Sequence, residues 1–84
     1  MNLEFDENAI EDLKYWVEID RRKALRILTL VEESVKSPFI GMGKPEPLKY
    51  NLQGCWSRRI DQEHRLVYKV THQSVRILAC RYHY

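Results

Sequence analysis

The chain has 84 residues, 44% of them apolar and 31% charged, with a formal net charge of +2. Its length allows one domain, residues 1–84, with a modest core, and its composition excludes wholesale disorder. With no apolar run of about 20 residues, no secretory hydrophobic stretch after its acidic start and only Cys55 and Cys80 as thiols, it is expected to be cytoplasmic and reduced, without membrane, metal or cofactor.

Residues 1–5 suit a short opening strand with Leu3 and Phe5 on one face. Asp6 offers a helix N-cap, with Glu7 favourable behind it. Ile10, Leu13, Trp16 and Val17 recur at helical spacing and define a first helix ending near Ile19. Asp20 is a second cap candidate, and Ala24, Ile27, Leu28, Val31 and Val35 carry the same period to about Lys36. Ser37-Pro38 ends it, because proline cannot continue the hydrogen-bond ladder.

Residues 38–47 hold three prolines and two glycines and predict a loop, stiffened where Pro45 and Pro47 flank Glu46. Beyond it the period shortens to two. Residues 48–52, 56–60, 65–70 and 75–82 read as strands, joined by polar turns short enough to make antiparallel neighbours. The expected fold is therefore α+β: two N-terminal helices packed on one face of a mostly antiparallel twisted sheet. In the third of these strands Leu66, Tyr68 and Val70 point to the core, and Arg65, Val67 and Lys69 point away. In the last, Val75, Ile77, Ala79, Arg81 and His83 share one face, and Arg76, Leu78, Cys80, Tyr82 and Tyr84 the other. Arg59 stands beside Arg65 if the loop between them is odd in length, a register that alternation leaves open.

Charge is polarised along the chain. Residues 1–42 hold six Lys/Arg and nine Asp/Glu, a net of −3, and residues 43–84 hold eight and three, a net of +5. Such a distribution steers a phosphate backbone, or is merely a solvated surface. Metal-free RNA cleavage needs a base for the 2′-hydroxyl, a cation for the phosphorane and an acid for the leaving oxygen. Glu46, the strand arginines and lysines, and His83 are the right residue types. Each also has a plainer reading: Glu46 as a solvated loop carboxylate, and Arg58, Arg59 and Arg65 as a solvent face balancing Asp61 and Glu63. The run Arg81-Tyr82-His83-Tyr84 interleaves cations and rings as base stacking requires, whereas Trp16 and Trp56 read as core.

The stretches Lys44-Pro45-Glu46-Pro47-Leu48-Lys49, Gly54-Cys55-Trp56-Ser57-Arg58-Arg59-Ile60, Glu63-His64-Arg65-Leu66-Val67-Tyr68 and Cys80-Arg81-Tyr82-His83-Tyr84, with Tyr15-Trp16, Pro38-Phe39, Gly41 and Gly43, resemble the YoeB toxin family end to end. Cys55 departs from the family's turn, where a bulkier or different residue often stands. The resemblance implies a bacterial type II toxin with the microbial-ribonuclease-like fold of the RelE group. It implies cleavage of messenger RNA in the A site of the 70S ribosome, and neutralisation by a YefM-like antitoxin. Homodimerisation, and contact with operator DNA only through the antitoxin complex, follow from the same likeness. The general base then falls on Glu46, the transition-state arginine on Arg65 and the general acid on His83, with Lys49, Arg59 and Tyr84 as substrate contacts. A non-catalytic module that binds ribosomal RNA or acts as co-repressor is the alternative reading.

Overall fold

The computed structural model describes residues 1–82. Its elements are β1 (Asn2–Phe5), α1 (Glu7–Ile19), α2 (Arg21–Lys36), β2 (Glu46–Pro47), a 3₁₀ turn (Tyr50–Leu52), β3 (Cys55–Arg59), β4 (Arg65–Val70) and β5 (Ser74–Ala79). The sheet runs β1-β5-β4-β3-β2, antiparallel except where β1 lies parallel to β5. Both helices lie on one face of it, as expected.

Asp20 caps α2 as predicted, accepting a bond from the Lys23 backbone N–H at 3.3 Å. Asp6 precedes α1 in extended conformation but makes no side-chain cap. Its carboxylate instead takes Arg76 Nη2 at 2.8 Å, tying the start of α1 to β5. The buried stripe of α1 runs through Ala9 and Trp16, and that of α2 through Ala24, Ile27, Leu30 and Val31. Ile10, Val17 and Leu28, expected inside, are exposed. Apolar residues cover so much of each helix that the period fixes the element but not the side it buries. Ala9 goes inward because a small residue lets the α1 backbone approach Cys80, whose Sγ lies 3.6 Å from the Ala9 carbonyl. Burial among apolar neighbours pushes the Cys80 thiol up to about 12, so it stays protonated.

Two further expectations change. Residues 48–52 leave the sheet: Leu48 and Leu52 fold over Cys55 and Val67 to make a second small cluster on the face away from the helices. Their alternation matches a strand, but the tertiary cover they provide wins. In β5, Val67 pairs with Ala79 and Tyr68 with Ile77, so Leu78 is an extra, bulged residue. The bulge resets the faces: Ala79 joins Leu78 in the second cluster, and Cys80 returns to the main core with Val75 and Ile77. The strand ends at Ala79, short of the predicted Tyr82.

Arg58 is not on the solvent face. Its side chain is fully buried on the helix side of β3. Nε donates to Tyr68 Oη at 3.0 Å, Nη1 to the Met42 carbonyl at 2.8 Å, and Nη2 to the carbonyls of Ser37 and Ile40. Tyr68 Oη in turn donates to the Pro38 carbonyl at 2.7 Å. One guanidinium thus organises the loop that leads to β2. Arg58→Leu strands these acceptors without donors and is expected to destabilise the fold by about 3 kcal/mol or more in urea unfolding. Arg58→Lys is expected to recover only a fraction, since an ammonium cannot reproduce the planar fork.

Candidate active site

The loop reaches β2 through Gly41 at φ +107°, Gly43 at φ +83° and Lys44 at φ +51°. Gly43 is required twice over. Its conformation favours glycine, and a Cβ there would stand 3.0 Å from Leu30 Cδ2 and 3.1 Å from Arg58 Cβ. The Gly43 carbonyl accepts from the Arg59 backbone N–H at 2.7 Å, which locks the loop onto β3. Glu46 follows immediately, opposite Ser57 on the edge strand, with its side chain exposed. Pro47 sits beside it without cost, because an edge strand does not need its N–H.

Arg59 and Arg65 are direct cross-strand partners, so the register left open by the sequence brings them together. Directly paired residues share a sheet face, and so do residues two apart along a strand. Glu46, Ser57, Arg59, Arg65 and Val67 therefore all lie on the face opposite the helices. Strand spacing and rise put the Glu46 and Arg65 Cα atoms roughly 12 Å apart. That gap suits a carboxylate and a guanidinium acting from two sides of one phosphate. Like charges placed directly opposite destabilise a sheet. Among the described residues neither Arg59 nor Arg65 forms an ion pair that would relieve their repulsion.

The β3–β4 turn orients Arg65. Asp61 Oδ1 accepts the backbone N–H of Glu63 at 2.8 Å and of His64 at 2.6 Å, while Oδ2 holds Lys23 of α2 at 2.6 Å. Arg26 donates to the carbonyls of Ile60 and Arg59, tying the same turn to α2. Arg65 Nη1 then rests on the Asp61 carbonyl at 3.1 Å and the His64 carbonyl at 3.4 Å. Burial alone would raise the Asp61 carboxyl, but the Lys23 ammonium and the two backbone donors outweigh it and hold it down at about 2.

Lys49 lies just past the end of β2, exposed, at the N-terminal end of the 3₁₀ turn. His83 and Tyr84 lie outside the described residues. Arg81 does not display its charge outward as the interleaved run suggested: its guanidinium stacks 3.4 Å from the Tyr15 ring and donates to Tyr82 Oη at 2.9 Å. Trp16 is core, with Nε1 on the Cys80 carbonyl at 2.7 Å, and Trp56 is half-buried against Phe39. The sequence reading missed Arg58 and His64. Arg58 carries no visible signal, since the doublet looks like any basic surface; His64 stands in a polar stretch between two strands, and nothing local marks it as buried. Among the described residues no three His, Cys, Asp or Glu side chains cluster as a metal site needs.

The family model for the YoeB-like toxin of bacterial type II toxin–antitoxin systems matches residues 5–84. The chain is 54% identical to Toxin YoeB of Escherichia coli K12 over 84 residues, covering all of both proteins. It superposes on the YoeB/ParE toxin from Agrobacterium tumefaciens with a TM-score of 0.93 at 40% identity, each chain fully covered. The YoeB of Staphylococcus aureus, solved as a dimer and in a heterotetrameric complex with YefM, superposes with TM-scores of 0.90 and 0.88 at 42% identity, covering 100% of this chain and 98% of that one. These likenesses bear out the α+β fold expected of the RelE group.

A carboxyl held below its ordinary value of 3.8 contributes stability that is complete above that value and is lost as pH falls through about 2. Asp61→Asn is expected to cost about 1 kcal/mol at neutral pH, the pair being partly screened by water. Thermal unfolding followed from pH 5 to pH 2 is expected to bring the two proteins together, because the wild type alone loses this contribution.

Proposed function

Because the chain belongs to the family of YoeB-like toxins of bacterial type II toxin–antitoxin systems, we propose that it is a ribosome-dependent endoribonuclease that cuts messenger RNA in the A site. The observation that carries this reading is the Arg59–Arg65 cross-strand pair, with Glu46 on the same sheet face. Two arginines paired across adjacent strands, neither in an ion pair with a described carboxylate, lower their energy when a phosphate enters.

In the proposed reaction Glu46 takes the proton of the 2′-hydroxyl, and that oxygen attacks the adjacent phosphorus in line. Arg65, assisted by Arg59 and Lys49, stabilises the charge that accumulates on the non-bridging oxygens. His83 protonates the departing 5′-oxygen, and Tyr84 contacts the substrate. The products are a 2′,3′-cyclic phosphate, or the 3′-phosphate from its opening, and a 5′-hydroxyl. No step calls for a metal or cofactor. Pre-positioned cations suit this chemistry because they act without reorganising as charge develops.

The same cations invite an acidic or amphipathic segment of a YefM-like antitoxin, which orders on binding and covers them. The structures of YoeB from Staphylococcus aureus, as a dimer and with YefM, support both assemblies for this chain. Operator DNA is contacted only through the antitoxin complex, and the site of action is the cytoplasm. No helix among the described residues is long and apolar enough to cross a membrane.

Primer extension on a defined message, with and without ribosomes, tests the proposal. Cuts within the A-site codon that need ribosomes are expected, and Glu46→Ala or His83→Ala is expected to lower their rate by about 10²–10⁴. Full activity in either variant sinks the assignment of roles. Inhibited translation without any cut favours the non-catalytic binding module.

A further inference from the structure

β5 ends at Ala79, and three side-chain bonds with one backbone bond fix the residues that follow. Trp16 Nε1 donates to the Cys80 carbonyl at 2.7 Å, and Asp12 Oδ2 accepts the Cys80 backbone N–H at 3.0 Å. Two residues on, the Tyr82 carbonyl accepts from the Arg65 backbone N–H at 2.9 Å, and the Tyr82 backbone N–H donates to His64 Nδ1 at 2.6 Å. Tyr82 takes φ +61°, a left-handed conformation costly for a tyrosine, which persists only where its surroundings impose it. His64 itself is buried, with its ring against the edge of Trp16 at 4.7 Å and beside the Tyr82 ring at 5.4 Å.

We propose that His64 is a positioning residue for cleavage: the lone pair on Nδ1 fixes the Tyr82 backbone, and with it the point from which the chain continues to His83. The inference rests on reading His83 as the general acid. A backbone N–H can only donate, so this bond requires Nδ1 to be unprotonated and places the ring hydrogen on Nε2, which faces Glu63 Oε1 at 3.5 Å. The other charged groups nearby are Asp61, Lys23, Arg65 and Arg81, each engaged with a partner other than the imidazole. Asp61 accepts the His64 backbone N–H, Lys23 lies 6.0 Å from the Trp16 ring centroid while bonded to Asp61, Arg65 donates to the His64 carbonyl, and Arg81 lies over the Tyr82 ring. The two histidines then do opposite work, one accepting a bond as a neutral ring and the other delivering a proton. Misplacing a catalytic group by about 1 Å costs roughly 10²-fold in rate, so the residue that sets the backbone one position upstream controls turnover without touching RNA.

Asn and Gln separate this role from mere packing. The side-chain oxygen of His64→Asn falls near the position of Nδ1, whereas that of His64→Gln reaches the position of Nε2. In the wild-type protein a ¹⁵N–¹⁵N scalar coupling across the Tyr82–His64 bond is expected, together with slow exchange of the Tyr82 amide. His64→Gln and His64→Leu are expected to speed that exchange and to lower the single-turnover rate on saturating ribosomes by about 10–10²-fold. Ribosome affinity should stay unchanged in both, and His64→Asn should restore most of the rate and the protection. Should His64→Leu fail to fold, the Asn and Gln variants alone decide. Equal rates in those two, or wild-type rates in His64→Gln, overturn the inference and leave the nuclease reading intact. A wild-type protein that cuts no message overturns both.

Discussion

The Arg58 guanidinium lies out of water on the helix side of β3, and the loop from α2 to the edge strand is arranged around it. Burying such a cation costs several kcal/mol unless its donors are matched. Here they are matched by carbonyls of Ser37, Ile40 and Met42 and by the Tyr68 hydroxyl. The compensation works only if residues 37–43 wrap tightly, which brings Gly43 against Leu30 and onto the Arg59 backbone N–H. Glu46 emerges three residues later. A cation that never meets substrate thus sets the path of the chain bearing the carboxylate that does so in the proposed mechanism.

The two faces of the sheet divide the labour. The helix face carries the main core, from Ala9 and Trp16 to Tyr68 and Ile77. The other face carries only the small cluster under Leu48 and Leu52, and beside it the arginines of β3 and β4. Carboxylates are spent elsewhere: Asp61 on Lys23, and Glu4 and Asp6 on Arg76. Those pairs stitch the acidic first half of the chain to the basic second half, while Arg59 and Arg65 form no ion pair among the described residues. The bulge at Leu78 serves the same division. It turns Cys80 back into the core, where Trp16 and Asp12 seize its backbone, and so carries the chain to Tyr82 against the turn that holds Arg65.

Much of this was legible in the residues. The helices, the proline-glycine loop, the hairpin strands and the outward course of Arg65 and Lys69 follow from spacing and turn chemistry. Motif likeness supplied the roles of Glu46, Arg65, His83, Lys49, Arg59 and Tyr84, which residue type and spacing alone do not separate from a solvated surface. Other features were illegible for definite reasons. Residues 48–52 alternate like a strand because a flap over a small apolar cluster also needs every other or every fourth residue apolar. The Leu78 bulge has no glycine to announce it. Arg58 and Arg59 are identical in type, and only strand alternation under a helix layer makes one a core organiser and the other an exposed cation.

What the sequence determined by itself was the inventory and its local order: which segments coil, which extend, where the chain must turn, and which half carries positive charge. These depend on contacts within a few residues, so periodicity and propensity report them. The tertiary structure decided which side of each helix is buried and which register sets Arg59 against Arg65. It also decided that His64, from a hairpin turn, meets the backbone of Tyr82 across 18 residues. Those outcomes rest on the packing of distant surfaces and on pairing polar groups removed from water, and neither leaves a local trace in the chain.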